Sequence, residues 1–128
     1  MKKITVVIPS YNEERNLKEG VLMEVENYLE KVGLDYEMLV VDDGSTDTSV
    51  ELINKQILKN NNFKLIQNKH GGKAMAVLTG MEKAAGEIIL FTDMDQATPI
   101  NQLGKLIRAF EEGFDVVIGS RSGRKGAP

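Results

Sequence analysis

Short apolar segments of strand length alternate with longer segments of helical periodicity along this chain of 128 residues. Five of the short segments are rich in β-branched or aliphatic residues and predict strands: Ile4–Ile8, Met38–Val41, Phe63–Ile66, Glu87–Phe91 and Val116–Ile118. Because these runs are mostly apolar instead of alternating with polar residues, they indicate a parallel sheet covered on both faces. The pattern predicts an α/β fold: a three-layer, doubly wound, Rossmann-like and mainly parallel sheet.

Four helices are predicted between and after the strands. Apolar residues recur at steps of three and four within 17–32, 50–57 and 103–110, and a further helix is expected to begin at Gly72-Lys73. Sequence signals at the helix ends support these boundaries. Gly33 and Gly86 are predicted left-handed C-caps, Ser45 and Thr46 predicted N-caps, and Pro99 a first-turn proline.

Composition excludes several classes of protein. The 16 basic and 19 acidic side chains give a net charge of −3, which argues against a nucleic-acid partner. The absence of cysteine and the single histidine, His70, exclude disulfide scaffolds, thiolate zinc sites and multi-histidine metal sites. No apolar run approaches the roughly 20 residues that span a bilayer, and no signal peptide is recognisable. A reducing, cytoplasmic location is expected.

Polar residues are dense where three predicted strands end, in segments 9–14, 42–47 and 92–96. In open α/β sheets, ligands bind beyond the carboxyl ends of the strands, near the point where strand order reverses. A ligand site is therefore expected at this edge of the sheet.

Asp93 and Asp95 are separated by one residue after a predicted strand. In an extended segment their carboxylates lie on the same side, and hard oxygen ligands of this kind suit Mg²⁺ or Mn²⁺. The alternative interpretation is that both aspartates are solvated turn residues, because Asp is common at strand ends.

Asp42-Asp43-Gly44 follows another predicted strand. The glycine fits a tight strand-to-helix turn and needs no further role. Asp42, directly at the strand end, can accept a hydrogen bond from a base N–H or a ribose hydroxyl.

Gly71-Gly72-Lys73 can cradle a phosphate through backbone N–H groups at the start of a helix. It is not a P-loop, because that motif needs Gly at position 67 and Ser or Thr at position 74, where this chain has Gln67 and Ala74. An exposed lysine with no ligand is the alternative for Lys73. His70, in the preceding loop, is expected to be an ordinary surface residue.

Five segments, in order and spacing, resemble family 2 glycosyltransferases, most of all the polyprenyl- or dolichyl-phosphate sugar synthases. They are 9–14, 41–47, 72–80, 93–95 and 119–121, and together the resemblance covers about residues 3–121. It implies a GT-A type fold whose Rossmann-like half binds a nucleotide sugar.

The resemblance also implies roles for residues around the nucleotide. Pro9, Tyr11 and Glu13 would line the base and ribose pocket. Asp42 would reach the base edge and Asp43 would support the pocket. The donor would be a nucleoside-diphosphate sugar, with UDP favoured over GDP.

Other residues correspond to the family's reactive groups. Asp93 and Asp95 match the D-x-D pair that holds Mg²⁺ or Mn²⁺ on the diphosphate, with Asp95 the expected catalytic residue. Lys73 would contact the nucleotide sugar. Arg121 matches an arginine that faces the acceptor phosphate in members acting on lipid phosphates. The implied activity is inverting transfer of a hexosyl group to a polyprenyl phosphate.

The chain departs from the family pattern at three places. Many relatives have Arg where this chain has Leu78, and Gly-Gly where it has Ala74-Met75. Some have a metal-binding Gln at the position of Ala97.

The expected domain organisation is a nucleotide-sugar-binding α/β domain over residues 1–120. Residues 121–128 are a basic, glycine-rich tail, read as the start of a missing acceptor-side segment, so the 128-residue chain is expected to be a poor enzyme by itself. The parent protein is expected at the cytoplasmic face of the membrane. Self-association through an uncovered apolar surface is also expected.

Three alternative functions are compatible with parts of this pattern. The chain could be a non-catalytic nucleotide-sugar-binding module, or part of a transferase that acts on a sugar hydroxyl in polysaccharide synthesis. A signalling receiver domain has a similar length and five strands. A receiver domain needs an acidic pair after the first strand, an Asp after the third and a Lys at the end of the fifth. At those places this chain has Pro9-Ser10, Gln67-Asn68 and Gly119-Ser120, which argues against a receiver domain.

Overall fold

The computed structural model of the protein describes residues 3–31, 33, 35–92 and 94. Its elements in chain order are β1 (Ile4–Ser10), α1 (Glu14–Lys18), α2 (Val21–Lys31), β2 (Tyr36–Asp42), α3 (Ser49–Ile57), β3 (Phe63–Gln67), α4 (Lys73–Lys83) and β4 (Ile88–Phe91). The alternation of strands and helices predicted from the sequence is confirmed over this part of the chain.

The four strands form one parallel sheet in the order β3-β2-β1-β4. The chain moves outward from β1 through β2 to β3 and then crosses back to place β4 on the other side of β1. All strands therefore end at the same edge of the sheet, and the order reverses between β1 and β4. This is the position at which open α/β sheets leave a crevice.

Helices cover both faces of the sheet. On one face, residues of α2 and α3 such as Val25 and Ile53 pack with Val6 and Val40 in the larger hydrophobic core. On the other face, Ala76 of α4 packs in a smaller core cluster with strand residues. The predicted three-layer, doubly wound arrangement is confirmed.

β1 is longer than the predicted strand and contains Pro9. Ser10 accepts a hydrogen bond from the Asp43 amide on the β2 side, whereas Val7 accepts one from the Thr92 amide on the β4 side. Since backbone groups alternate between sides, the missing N–H of Pro9 faces the side where β4 has already ended. Proline is tolerated there because no ladder hydrogen bond is lost.

The single helix predicted over 17–32 is two helices, so that prediction is wrong in detail. Gly20 has a positive φ of 88°, a conformation that is costly for other residues, and it separates α1 from α2. Leu17 still packs against the larger core, which explains why the apolar periodicity continues through the break.

The predicted helix caps are only partly confirmed. Gly33 has a φ of 70° and its amide bonds to the Glu30 carbonyl at 3.1 Å, as a left-handed cap requires. Gly86 does not have a positive φ; a Cβ there would lie 2.6 Å from Thr5 Oγ1, so glycine is needed for close approach. Ser45 and Thr46 precede the start of α3 by several residues and do not cap it.

A buried carboxylate fixes the opposite edge of the sheet. Glu37 accepts hydrogen bonds from the Thr5 hydroxyl at 2.7 Å and from the Ala85 amide at 2.6 Å, and Lys64 lies 3.4 Å away. Burial raises the pKa of Glu37, but these partners outweigh it and hold the pKa below its usual value. The group joins the loop after α4 to the start of β1 and β2.

Several predictions fall outside the described residues: the strand at 116–118, the helix at 103–110, Pro99 and the basic tail 121–128. Among the residues that are described, no helix is long and apolar enough to cross a membrane.

Candidate functional site

A cleft of about 460 Å³ opens at the carboxyl end of β1, where the strand order reverses. Its size is within the range of about 300–1,000 Å³ typical of small-molecule sites. It is lined by Pro9, Ser10, Tyr11, Glu13, Asp43, His70, Gly72, Lys73, Ala76 and Met94. Five residues singled out from the sequence, namely Pro9, Tyr11, Glu13, Asp43 and Lys73, are among them.

Asp43 accepts several hydrogen bonds in the wall of the cleft. It is only 4% exposed, and Oδ1 accepts hydrogen bonds from the amides of Gly71 at 2.8 Å and Gly72 at 3.2 Å. Its Oδ2 lies 3.1 Å from the Gly72 amide. The Gly71 amide is the main cause that holds the pKa of Asp43 below its usual value; burial opposes it, and Gly72 and His70 add to it. Asp43 is therefore an ionised group in the wall.

These bonds change the interpretation of the Gly71-Gly72 turn. The two amides that the sequence offered to a phosphate already bind an internal carboxylate. A phosphate could use them only by displacing Asp43. Lys73, at the first position of α4, remains in the cleft lining with its side chain exposed.

His70 is a functional candidate that sequence reasoning missed. Its Nδ1 lies 2.9 Å from Asp43 Oδ2 and 3.1 Å from the Asp43 carbonyl oxygen. Both neighbours are hydrogen-bond acceptors, so Nδ1 must carry the proton. The ring stacks on Tyr11 with a centroid distance of 4.5 Å and an interplanar angle of 27°. One signal was available: His70 follows β3, whose carboxyl end meets the same edge as β1.

Asp42 is placed differently from Asp43. It ends β2, is 1% exposed and is not part of the cleft lining. Its two oxygens accept hydrogen bonds from the Ser45 amide at 2.8 Å and the Ser45 hydroxyl at 2.6 Å. Asp42 thus shapes the turn after β2, and its contact with a base edge stays a prediction.

The loops after β1 and β2 are joined side by side. Asn12, at a positive φ of 51°, donates its amide to Ser45 Oγ and accepts from the Thr46 amide, each at 2.8 Å. The Glu13 amide donates to Ser49 Oγ at 2.8 Å. The Ser45 hydroxyl and the Thr46 amide, at positions predicted to cap a helix, therefore join the two loops, and these bonds fix the backbone around Tyr11.

Two further acidic residues of these loops have structural partners. Glu14 accepts from the Thr48 hydroxyl, which is the main cause that lowers its pKa. Asp47 accepts from the amides of Ser49 at 2.8 Å and Glu14 at 3.3 Å. Burial raises the pKa of Asp47, but its hydrogen bonds with Ser49 outweigh this and the pKa is lowered. Glu14 and Asp47 thus stabilise the loops.

Ser10 lines the cleft beside these loops. Its hydroxyl is buried and has no hydrogen-bond partner among the residues the structure describes. Buried polar atoms in folded proteins usually have a hydrogen-bond partner, either in the protein or in ordered water. Ser10 is thus a candidate ligand contact that the sequence did not single out.

The predicted metal ligands Asp93 and Asp95, and the predicted acceptor contact Arg121, lie outside the described residues. Met94, between the two aspartates in sequence, is buried in the larger core and also lines the cleft. Within the described ranges, no group of three or more His, Asp or Glu residues is arranged to hold a metal ion.

A parallel α/β sheet with an ionised, aromatic-walled cleft at its switch point defines a Rossmann-like ligand-binding domain. A family model described as glycosyl transferase family 2 matches residues 5–128. The chain therefore belongs to glycosyl transferase family 2.

Curated relatives are much longer than this chain. The undecaprenyl-phosphate 4-deoxy-4-formamido-L-arabinose transferase of Salmonella typhimurium is 34% identical over 127 residues. That match covers 98% of this chain but 38% of the relative. The chain thus spans about two fifths of the length of the curated relatives it matches.

Solved structures show the same fold. A mannosyltransferase from Pyrobaculum calidifontis, in complex with GDP-Man and Mn²⁺, has a TM-score of 0.70 and 26% identity, covering 84% of this chain and 32% of its own. S. aureus TarS 1-349 has a TM-score of 0.65 and 29% identity, covering 86% and 32%. Its complex with UDP has a TM-score of 0.62 and 26% identity, covering 85% and 33%. The expected GT-A type fold is confirmed by these likenesses.

Proposed function

We propose that this chain is the nucleotide-sugar-binding part of an inverting glycosyltransferase. The donor is a nucleoside-diphosphate sugar, with UDP favoured, and the acceptor is a polyprenyl phosphate. The observation that carries this proposal is the cleft at the β1–β4 switch point, where Pro9, Tyr11, Glu13 and Asp43 converge. Support for the ligand classes comes from a relative named for undecaprenyl phosphate and from neighbours holding GDP-Man or UDP.

The base and ribose bind against the loop after β1. Tyr11 is 44% exposed and offers a ring face for stacking, which is how proteins commonly hold nucleobases. Glu13 and the Ser10 hydroxyl, which has no hydrogen-bond partner within the part of the chain that the structure describes, supply polar contacts. Asp42, with oxygens that each retain capacity for another hydrogen bond, approaches the base edge.

Asp93 and Asp95 would hold Mg²⁺ or Mn²⁺, and the cation would bind the diphosphate. Carboxylate oxygens are suitable donors for these hard cations, and Met94, which lies between the two aspartates in sequence, lines the cleft. A bound cation neutralises the charge that develops on the leaving diphosphate. Lys73 adds a positive charge near the phosphates. Asp95 is the proposed catalytic residue.

The acceptor binds at Arg121, whose guanidinium pairs with the acceptor phosphate. A phosphate acceptor is already anionic and needs no general base to remove a proton. The proposal includes a parent protein at the cytoplasmic face of a membrane, where polyprenyl phosphate is reached from the aqueous side. It also includes weak self-association of the chain.

Calorimetric titration of UDP and GDP, with and without Mn²⁺, tests this proposal. We expect metal-dependent binding of at least one nucleotide, and a loss of at least about tenfold in Asp95→Ala, since charge-assisted contacts are each worth about 1.5–3 kcal/mol. Asp35→Ala is the matched control. Asp35 is exposed at the opposite edge of the sheet, so the nucleotide affinity of this variant should equal that of the wild type. Absence of binding to either nucleotide would contradict the proposal.

A further inference from the structure

We propose that His70 is a positioning residue for the nucleobase: it holds the Tyr11 ring as a preformed platform on which the base stacks. This inference rests on the proposed nucleotide-sugar function and assigns a role to a residue outside the sequence motifs. It is carried by the ring contact with Tyr11 and by the hydrogen bonds that join His70 to Asp43.

The first step is the stack itself. Tyr11 and His70 come from loops after different strands, β1 and β3, yet their ring centroids are 4.5 Å apart. One face of the Tyr11 ring is therefore covered by the imidazole. Both residues also line the cleft, so a planar base that stacks on this pair adds a third ring.

The second step is the anchor. Nδ1 is directed at two oxygens of Asp43, and Asp43 is held by the amides of Gly71 and Gly72. A surface imidazole would ordinarily sample several rotamers, but these contacts restrict it to one. Fixing a binding surface before the ligand arrives reduces the entropy lost on binding.

The third step is the position of the His70 backbone. A Cβ added at Gly44 would lie 2.9 Å from the His70 amide nitrogen, so the turn after β2 passes directly against this residue. The side chain remains 60% exposed, which means that it contributes little to the hydrophobic core. We therefore assign its hydrogen bonds to Asp43 and its ring contact with Tyr11 to the support of the Tyr11 ring.

The ligand class that fits is a planar heteroaromatic base. A purine offers a larger stacking surface than a pyrimidine, so GDP should depend on the platform more strongly than UDP. Because the effect of His70 acts through Tyr11, it should disappear when the Tyr11 ring is removed.

The test is nucleotide titration of His70 variants with Mn²⁺ present. His70→Ala should weaken binding about threefold to tenfold, the range expected for loss of one aromatic pair. His70→Phe keeps the ring but loses the Nδ1 contacts with Asp43, so its affinity should lie between those of the wild type and His70→Ala, whereas His70→Asn keeps a polar group without the ring and should resemble His70→Ala. Lys59→Ala, exposed in the loop before β3, is the control for unrelated surface changes.

A double-mutant cycle with Tyr11→Ala separates positioning from a general structural effect. In the Tyr11→Ala background, His70→Ala should cause no further loss of affinity. Additive losses would overturn the inference, as would wild-type affinity in His70→Ala. Unchanged thermal unfolding midpoints would confirm that the variants remain folded.

A readout without nucleotide keeps the two proposals distinguishable. In the free protein, NMR signals of the Tyr11 ring should shift when His70→Ala removes the stacked imidazole. If they do not shift, the platform does not exist and the inference fails while nucleotide binding stands. If the wild type binds neither UDP nor GDP, the proposed function fails and the positioning role falls with it.

Discussion

At the scale of single residues, Asp43 joins the turn before α4 to the stacked rings of the cleft. It receives amides from the turn before α4 and lies against His70, which in turn stacks on Tyr11. Its ionised form is favoured by the Gly71 amide above all, in opposition to burial, and this lowers its pKa. Asp43 therefore couples the local stability of the site to pH.

The sign of that coupling follows from the direction of the shift. A carboxyl whose pKa is lowered by folding stabilises the folded state fully above its unfolded pKa, which is about 3.9. This contribution is lost as pH falls through the lower pKa of the folded state. We expect Asp43→Asn to be less stable than the wild type by about 1–3 kcal/mol at pH 7, because buried amides lose a charged acceptor.

Urea denaturation between pH 7 and pH 3 measures this difference. The difference in unfolding free energy between Asp43→Asn and the wild type should narrow below about pH 4, where the Asp43 carboxyl is protonated first in the unfolded wild type, and further as pH falls through the lower pKa of the folded state. Asp35→Asn, at an exposed position of the opposite edge, should show no such change. A gap that stays constant down to pH 3 would contradict the assignment.

The sequence allowed part of this site to be predicted. Pro9, Tyr11, Glu13 and Asp43 lie at or just after the ends of strands that share one edge, and parallel topology was sufficient to bring them together. His70 could not be assigned from spacing, because its role depends on a ring contact between two loops far apart in the chain.

At the scale of elements, α4 lies unusually close to β1. Gly80 is buried in the face of α4 that packs on the sheet, and a Cβ there would lie 2.4 Å from Val7 Cγ1. The Val7 side chain is β-branched and cannot move away easily. The close approach of this helix, which also carries Lys73 into the cleft, therefore depends on glycine.

Gly80→Ala should destabilise the protein even though alanine favours helix formation. The propensity gain is about 1 kcal/mol, whereas overpacking a core contact costs about 1–3 kcal/mol; we expect a net loss of about 1 kcal/mol in urea denaturation. Gly71→Ala is the control. A Cβ added at Gly71 would lie 3.4 Å from its nearest atom, Met75 Cγ, so this substitution should cause no loss from overpacking.

A second substitution tests the cause of that loss. Val7→Ala combined with Gly80→Ala should be less destabilising than the sum of the two single changes, because the smaller side chain removes the clash. Equal or greater stability of Gly80→Ala alone would show that the helix shifts freely on the sheet.

Element predictions from the sequence succeeded where one physical signal dominated. Apolar β-branched runs located all four described strands. β1 and β2, which are buried on both faces, consist mainly of apolar residues. The break at Gly20 was missed because Leu17 keeps the apolar period across it. Gly86 was misassigned because a glycine needed for close approach to Thr5 looks the same in sequence as a helix cap.

At the scale of the whole molecule, the outer face of α4 is unusual. Met75, Leu78 and Met81 recur at steps of three on this helix and are 51%, 50% and 44% exposed. Met75 and Leu78 are positions at which the chain departs from the family pattern noted above. The sequence showed the departures, but only the helix orientation shows that they share one surface.

Contiguous exposed apolar side chains on a protein surface usually mark a contact surface. We expect concentration-dependent self-association through this face, measurable by sedimentation velocity across a wide range of protein concentration. Leu78→Lys should shift the distribution toward the monomer, because a charge at the centre of the stripe must be desolvated on contact. Leu58→Lys provides the control: Leu58 is 86% exposed on a different part of the surface, so the same change there should leave association unaltered. A wild-type chain that stays monomeric at every concentration would refute this prediction, and equal effects of the two lysines would place the contact elsewhere than on α4.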